Sequence, residues 1–135
     1  MIGAPDFGLP DIPHTAVEWR PETEVEDLRR LDVGLVPVQR NAWTPHKFFL
    51  KLVQYMALGI PPVATPLGCN PTVIDEGETG FLAHDDAQWQ SAVERLVGDA
   101  ELRERVGTRA AEVARERYTL QANAEKIVAA FRSAV

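Results

Sequence analysis

The sequence predicts an α/β fold in which a parallel sheet is covered by helices on both faces. The evidence lies between Asp32 and Ile74, where an apolar strand is followed by a helix and then by a second apolar strand. The first strand, Val33 to Val38, is a nearly unbroken apolar run, which is typical of a parallel strand with both faces covered. The second strand is predicted over Pro62 to Thr65. Together these elements form a βαβ unit.

The helix of this unit is predicted to begin at Thr44 and to end at Gly59. Thr44 is a candidate N-cap, and Pro45 suits the first helical position because its missing N–H would be unpaired there. Gly59 supplies the left-handed residue that ends many helices. Apolar residues recur at helical spacing and form one stripe that should face the sheet; they are Phe48, Phe49, Leu52, Val53 and Met56.

Upstream of this unit the sequence predicts little regular structure. MIGAP resembles the end of a strand, and residues 1–16 are otherwise predicted to form a loop because they are rich in Gly and Pro. Val17 to Trp19 is predicted as a short strand. Thr23 to Glu26 matches a capping box and predicts a short helix with Val25, Leu28 and Leu31 on its buried side.

Downstream, a Gly-rich turn leads to a predicted strand over Phe81 to Ala83, and the remainder is helical. Three residues are predicted to cap three helices: Asp85 with Gln88 as a capping box, Asp99, and Thr119. Each helix has an apolar stripe. The stripes consist of Trp89, Val93, Leu96 and Val97; of Leu102, Val106, Ala110 and Val113; and of Leu120, Ala124, Ile127, Val128 and Phe131.

Composition excludes several classes of function. The chain has 135 residues, 45% hydrophobic and 25% charged, which fits one globular domain. Its net charge of -6 argues against nucleic acid as a partner. The lone Cys69 excludes an internal disulfide, and no Cys/His spacing suggests a metal site. No apolar run approaches the roughly 20 residues of a transmembrane helix, and no secretory signal is evident, so a cytoplasmic location is expected.

Polar and basic residues cluster where the predicted strands end, which is where α/β sheets bind small molecules. His46, Lys47, Lys51 and Gln54 lie on the helix face opposite the apolar stripe, and Arg40 lies in the preceding loop. Cations near a helix N-terminus suit a phosphate group, because free amides and the helix dipole also favour negative charge there. The alternative interpretation is a solvated basic face.

The turn Gly68-Cys69-Asn70-Pro71 is a second candidate for ligand contact. Asn70 is predicted to be an N-cap, and Gly68 would let backbone amides approach a diphosphate or a sugar. A plain tight turn is the alternative. Trp43, which follows Arg40 in the loop, either borders a substrate or covers the start of the helix. Cys69 is interpreted as a small buried hydrophobic residue, and no chemistry is assigned to His14 or His84.

A longer stretch carries a family resemblance. The residues are KLVQYMALGIPPVATPLGCNPTVIDEGETGFLA, together with the DVGLVP strand before them and the Tyr-Thr-Leu that precedes the last helix. This combination resembles the C-terminal, nucleotide-sugar-binding domain of retaining glycosyltransferases of the GT-B fold, in group 1 (family four). The resemblance runs from about Ile2 to Phe131.

The resemblance implies that residues 1–135 are a Rossmann-like, N-terminally truncated GT-B C-terminal domain that lacks its first strand–helix unit. It implies transfer of a glycosyl group from a nucleoside-diphosphate sugar to an acceptor with retention and without a metal. The sugar nucleotide is then a substrate, and no cofactor is expected. An upstream acceptor-binding domain or chain is an implied partner, and this chain alone is expected to be inactive.

Two positions depart from the family pattern. Two glutamates separated by seven residues line the donor site of the family, and His46 and Gln54 stand at those positions here. One branch of the family carries the same Gln, and the chain matches that branch at Lys47, Lys51 and Gln54. Gln can still hydrogen-bond a ribose hydroxyl. His46 is the candidate catalytic position, and its departure keeps open an alternative function as a non-catalytic binding or assembly module.

Two further expectations concern class and assembly. A dehydrogenase is disfavoured, since the chain lacks the G-x-G-x-x-G turn. In a sheet of order 3-2-1-4-5-6 without its first strand, the Val33 to Val38 strand would have an unpaired edge. Unpaired edges promote association. The sequence therefore predicts a homodimer or a marginally stable, aggregation-prone monomer.

Overall fold

The computed structural model describes residues 13–133 and divides the chain into two compact units, Met1–Leu31 and Asp32–Val135. In the first unit one helix, α1 (Glu24–Leu28), follows a segment without regular structure. Of the predicted strand Val17 to Trp19, only Val17 forms a bridge. The predictions made for residues 1–12 lie outside the described residues.

Helix α1 begins without the predicted capping box. Thr23 occupies the N-cap position, but its backbone is helical (φ -114°, ψ -3°) and its side chain makes no capping hydrogen bond. An N-cap side chain normally reaches the free amides from an extended backbone, so this geometry explains the wrong prediction. Leu28 is buried as expected, whereas Val25 is 48% exposed.

The second unit contains a three-stranded parallel sheet of order β1-β2-β3. In this order β1 pairs in register with β2, Leu35 opposite Val63, and β2 pairs with β3, Val63 opposite Phe81. The predicted parallel α/β architecture is confirmed, although each strand is shorter than predicted. The elements are β1 (Gly34–Val36), a 3₁₀ turn (Thr44–His46), α2 (Leu50–Ala57), β2 (Pro62–Ala64), α3 (Asn70–Val73), β3 (Phe81–Leu82), α4 (Asp86–Gly98), α5 (Ala100–Arg117) and α6 (Leu120–Ser133).

Helices cover both faces of the central strand β2. Ala64 joins a cluster with Val36, with α2 and with α5, whose buried members include Leu52, Met56 and Val113. The neighbouring Val63 faces the opposite way. It joins a second cluster that contains Phe81 from β3, Ala92 and Leu96 from α4, and Val106 from α5. Because side chains alternate along a strand, β2 supplies both clusters, and all three of its residues are buried.

Strand β1 is covered less completely than the apolar run predicts. Gly34 and Val36 are buried, but Leu35 between them is 48% exposed. Gly34 N–H donates to Pro61 O, and Val36 O accepts from Thr65 N–H. The backbone groups of Leu35 therefore face away from β2. Within the described residues, β2 is the only strand that pairs with β1.

Glycines allow two close contacts on the α2 side of the sheet. Gly59 ends α2 with a φ of 73°, as predicted, and its carbonyl oxygen lies against Gly107 of α5. A Cβ on Gly107 would overlap that oxygen. Similarly, the ring of Tyr55 occupies the space that a side chain on Gly34 would need. The region of α2 therefore approaches β1 and α5 closely at Gly34 and Gly107, two positions that lack side chains.

The predicted caps of the three C-terminal helices are confirmed. Asp85 accepts from Gln88 N–H at 2.9 Å, Asp99 accepts from Leu102 N–H at 2.9 Å, and Thr119 Oγ1 accepts from Ala122 N–H at 3.1 Å. The predicted burial is less complete. Val97 is 66% exposed, and the stripe of α6 remains open to solvent, with Phe131 at 74%. Among the described helices none combines the length and apolarity needed to cross a membrane.

The Gly107 contact leads to a stability prediction. Gly107→Ala places a methyl group where the Gly59 carbonyl lies, so we expect a loss of about 1–3 kcal/mol in the free energy of unfolding, typical of overpacking. Helix propensity alone would favour Ala by about 1 kcal/mol. Urea unfolding measures the difference.

Gly98→Ala is the matched control, because nothing lies near a Cβ at the end of α4. It should leave stability unchanged or slightly raised. Equal effects of the two substitutions would contradict the contact.

Candidate functional site

The candidate site lies at the edge of the sheet where all three strands end. In a parallel sheet the carboxyl ends share one edge, so the loops after β1, β2 and β3 meet there. A cavity of about 220 Å³ opens between these loops. It is lined by Val38, Arg40, Thr65, Pro66, Leu67 and His84. The structure thus brings His84, to which sequence analysis gave no chemistry, to the same cavity as Arg40.

The loop after β1 is fixed by Asn41, which sequence analysis did not identify. Its Oδ1 accepts from Trp43 N–H at 2.9 Å and from Thr44 N–H at 3.0 Å. In return, Thr44 Oγ1 accepts from Asn41 N–H at 3.0 Å. Thr44 is buried by this exchange, with 6% of its surface exposed. An Asn three residues before a Thr is a recognisable turn signal, so this hydrogen-bonded turn could have been predicted from the sequence.

The predicted helix beginning at Thr44 is replaced by three short pieces. A 3₁₀ turn spans Thr44–His46, Lys47 is extended (φ -86°, ψ 141°), and α2 begins only at Leu50. Thr44 makes no capping hydrogen bond to the turn, and Phe49 stands at the N-cap of α2 without a side-chain cap. His46 and Lys47 therefore precede α2, in what we call the connecting segment, Thr44–Phe49.

Gly68 holds the connecting segment in place. It has a φ of 57°, and a Cβ there would meet the carbonyl oxygens of Lys47 and Thr44 and the ring of Phe49. Cys69 N–H also donates to Lys47 O at 3.4 Å. The space beside Gly68 is thus filled by protein. A role for Gly68 in ligand binding remains a prediction, whereas its role in packing is evident.

Asn70 is not the N-cap that the sequence predicted. Cys69 takes that position without a side-chain cap, and Asn70 is the first residue of α3. Its side chain is fully buried, and its Nδ2 donates to Thr65 O at 2.8 Å. Its Oδ1 has no hydrogen-bond partner. Asn70 therefore supports the loop after β2 from within, because its amide binds backbone rather than reaching solvent.

Thr65 joins the ends of β1 and β2. Its Oγ1 accepts from Val38 N–H at 3.0 Å, and its N–H donates to Val36 O at 3.2 Å. Its carbonyl oxygen accepts from Asn70 Nδ2 and from Leu67 N–H, the latter at 2.8 Å. This residue therefore fixes the floor of the cavity. The hydrophobic periodicity of the sequence placed Thr65 at the end of a strand but did not predict these hydrogen bonds.

The remaining predicted residues lie along the same edge. Arg40, His46 and Lys47 are exposed, while Lys51 and Gln54 of α2 are partly buried. Lys47 is linked to the Gly68 turn through its backbone, whereas Arg40 belongs to the cavity with His84. Burial raises the pKa of the Tyr55 hydroxyl above its ordinary value, because the phenolate is poorly solvated there. Tyr55 is therefore neutral at physiological pH.

Charge is unevenly distributed around this edge. All 20 acidic residues lie outside residues 33–74, although that segment carries Arg40, Lys47 and Lys51. The stretch after β1 is thus locally basic in a net negative chain, which favours anions there, whereas the loop after β3 carries the exposed Asp85. Among the described residues, no group of three or more His, Cys, Asp or Glu side chains could hold a metal ion.

The fold is a parallel α/β domain with its candidate site at the carboxyl ends of the strands, and comparison with known proteins gives the family. The model of the group 1 glycosyl transferases matches residues 14–99, which is more than half of the chain. The chain therefore belongs to the group 1 glycosyl transferases. This confirms the resemblance found in the sequence.

Individual relatives agree with this assignment. D-inositol 3-phosphate glycosyltransferase of Corynebacterium diphtheriae is 34% identical over 116 residues, a match that covers 84% of this chain and 26% of that protein. The chain thus spans about a quarter of the length of this relative.

Solved structures confirm the GT-B fold. Sucrose-phosphate synthase from Thermosynechococcus elongatus superposes with a TM-score of 0.76 at 21% identity, over 88% of this chain and 29% of that one. HepE from Anabaena, in complex with UDP, gives a TM-score of 0.74 at 20% identity, over 88% and 32%.

Proposed function

We propose that this chain is the donor-binding part of a glycosyltransferase that moves a glycosyl group from a nucleoside-diphosphate sugar to an acceptor with retention. The observation that carries the proposal is the basic stretch after β1, where Arg40, His46 and Lys47 are exposed and where residues 33–74 contain no acid. In the proposed reaction the glycosyl group leaves a nucleoside diphosphate, which is the anion that this basic stretch would bind. The structures of HepE with UDP and with UDP-glucose support the choice of ligand.

In this proposal the chain's own groups stabilise the leaving diphosphate. Lys47 lies beside the Gly68 turn, and Lys51 and Gln54 lie along the first turns of α2. Cations and amides fixed before the reaction stabilise developing negative charge without reorganising, which is electrostatic catalysis. We propose that neither a metal nor another cofactor takes part. The lone cysteine suits a reducing compartment, and a cytoplasmic location belongs to the same proposal.

His46 supports a second candidate, a non-catalytic binding or assembly module. It stands where the family has a glutamate near the donor sugar, at the exposed end of the 3₁₀ turn. A histidine cannot provide the same carboxylate acceptor. The first candidate needs a sugar acceptor held by an upstream domain or chain, whereas the second has no turnover, so the two differ in turnover and not in donor binding.

Donor binding tests the proposal directly. Calorimetric titration with UDP, GDP and their sugars should give a Kd on the order of millimolar, equivalent to about 4 kcal/mol. Combining Lys47→Ala with Gln54→Ala should weaken binding at least tenfold, because a hydrogen bond to a charged group contributes about 1.5–3 kcal/mol.

Lys126→Ala is the matched control, since Lys126 is an exposed lysine of α6 and does not line the cavity. An unchanged affinity in the double variant would refute the assignment of Lys47 and Gln54.

Turnover tests whether the isolated chain holds a complete site. The isolated chain should neither transfer sugar nor hydrolyse the donor at a useful rate, because acceptor orientation supplies much of the rate enhancement. Radiolabelled donor and product chromatography measure this. Sustained turnover that is abolished by Gln54→Ala would show that the isolated chain holds a working site.

Association through β1 is the remaining part of the proposal. The backbone groups of Leu35 face away from β2, and the side chain is half exposed, so a second copy can pair there. Sedimentation equilibrium should show a dimer, which Leu35→Lys should weaken by placing like charges together. A monomer at high micromolar concentration that melts cooperatively above about 60 °C would exclude this association.

A further inference from the structure

Two aromatic side chains project from the loop at the ends of the strands. Trp43 is 79% exposed, the highest value among the large apolar residues that the structure describes, and Phe48 is 54% exposed. They lie on either side of His46 and Lys47 in the chain, and both of those residues are exposed as well. The stretch that carries the exposed Lys47 thus also carries an indole and a phenyl ring.

These rings are exposed although the backbone that carries them is anchored. Asn41 Oδ1 accepts from Trp43 N–H, Thr44 is buried, and Phe49 packs against the core and beside Gly68. Thr44, the first residue of the 3₁₀ turn, is therefore buried and Phe49 is partly buried, whereas Trp43 stands in solvent. Exposing a tryptophan forgoes one of the most favourable burials available to a protein. A fixed, exposed indole is instead suited to covering the face of a ligand.

The other exposed apolar residues have a different pattern. Leu120, Ile127, Val128 and Phe131 recur at helical spacing along α6, as expected for a face that packs against another element. Trp43 belongs to no helix, and its position is set by a turn. Its exposure therefore calls for a ligand rather than for a packing partner of a helix.

We infer that Trp43, together with Phe48 of the connecting segment, is a platform for a pyranose ring, an inference that rests on the proposed function. A pyranose has a C–H face that can cover an aromatic ring and hydroxyl groups at its edge that stay hydrated. Binding sites commonly combine such apolar contact with a few polar groups that fix orientation. The indole N–H can donate to a hydroxyl, and Lys47 can hold a phosphate attached to the same sugar.

Two substrates can supply a pyranose ring, the donor sugar and a sugar acceptor. For the donor, UDP-glucose should bind more tightly than UDP, because the glucose adds contact with Trp43. For the acceptor, a free glycoside should reach Trp43 on a chain already saturated with UDP. Either result supports the platform and identifies its source.

The test follows the indole N–H signals of Trp19, Trp43 and Trp89 by NMR, which detects weak binding. Trp→Phe substitutions assign the three signals. The probes are UDP, UDP-glucose and methyl glucoside, alone and with saturating UDP. The Trp43 signal should move with UDP-glucose, or with methyl glucoside in the presence of UDP, and should not move with UDP alone.

Variants give a second measurement. Trp43→Ala should remove the advantage conferred by the sugar, which we expect to be about tenfold in Kd, or about 1.4 kcal/mol. Trp43→Phe should retain most of it because the aromatic face remains. Phe131→Ala, at a ring equally exposed on α6, should have no effect. If Trp43→Ala does not fold, the NMR titration of the unaltered chain decides.

The outcomes separate this inference from the proposed function. If UDP-glucose moves other signals and leaves Trp43 unmoved, the platform is refuted and donor binding stands. If UDP alone moves Trp43 as far as UDP-glucose does, the ring stacks on a nucleobase and the pyranose assignment is wrong. If no indole signal moves although calorimetry detects UDP-glucose, the platform is refuted and donor binding stands. If calorimetry detects no donor either, the proposed function fails, and this inference fails with it.

Discussion

The contact between Gly68 and the connecting segment is the constraint on which the candidate site depends. Two carbonyl oxygens and an aromatic ring lie where a side chain on residue 68 would be, and the left-handed φ of 57° favours glycine independently. Because of this contact, the loop after β2 fixes the position of the connecting segment that follows β1. The positions of His46 and Lys47, and the start of α2, are thus set by a residue that has no side chain.

Charge and fold act together at the same edge. The net charge of the chain is -6, yet residues 33–74 contain no acid. Arg40, Lys47 and Lys51 all follow β1, between that strand and the first turn of α2, so the basic charge lies at the end of one strand. The acidic residues outside this segment are spread over the rest of the chain, many of them on the C-terminal helices. The cations after β1 attract an anionic ligand over distances of about 10 Å, beyond which salt screens the field.

The sequence predicted the features that are set by local patterns. Asp85, Asp99 and Thr119 cap helices as predicted, and the βαβ unit is parallel, because caps and hydrophobic periodicity act over a few residues. It failed where tertiary contact overrides local preference. Thr44 binds Asn41 instead of capping a helix, and the connecting segment is held by a turn more than 20 residues away. The burial of Asn70 has the same cause. The spacing of hydrophobic residues in a sequence does not show which loops will contact each other in the fold.

The seating of Tyr55 on Gly34 has a consequence for how this sequence can change. The ring lies on the backbone of β1 because residue 34 has no side chain, and burial keeps the phenol neutral. Neither position can change alone: a larger residue at 34 displaces the ring, and a smaller residue at 55 leaves a void over the strand. Across related sequences, the sizes of the residues at these two positions should therefore be inversely correlated, so that a bulky ring on the helix is accompanied by glycine on the strand.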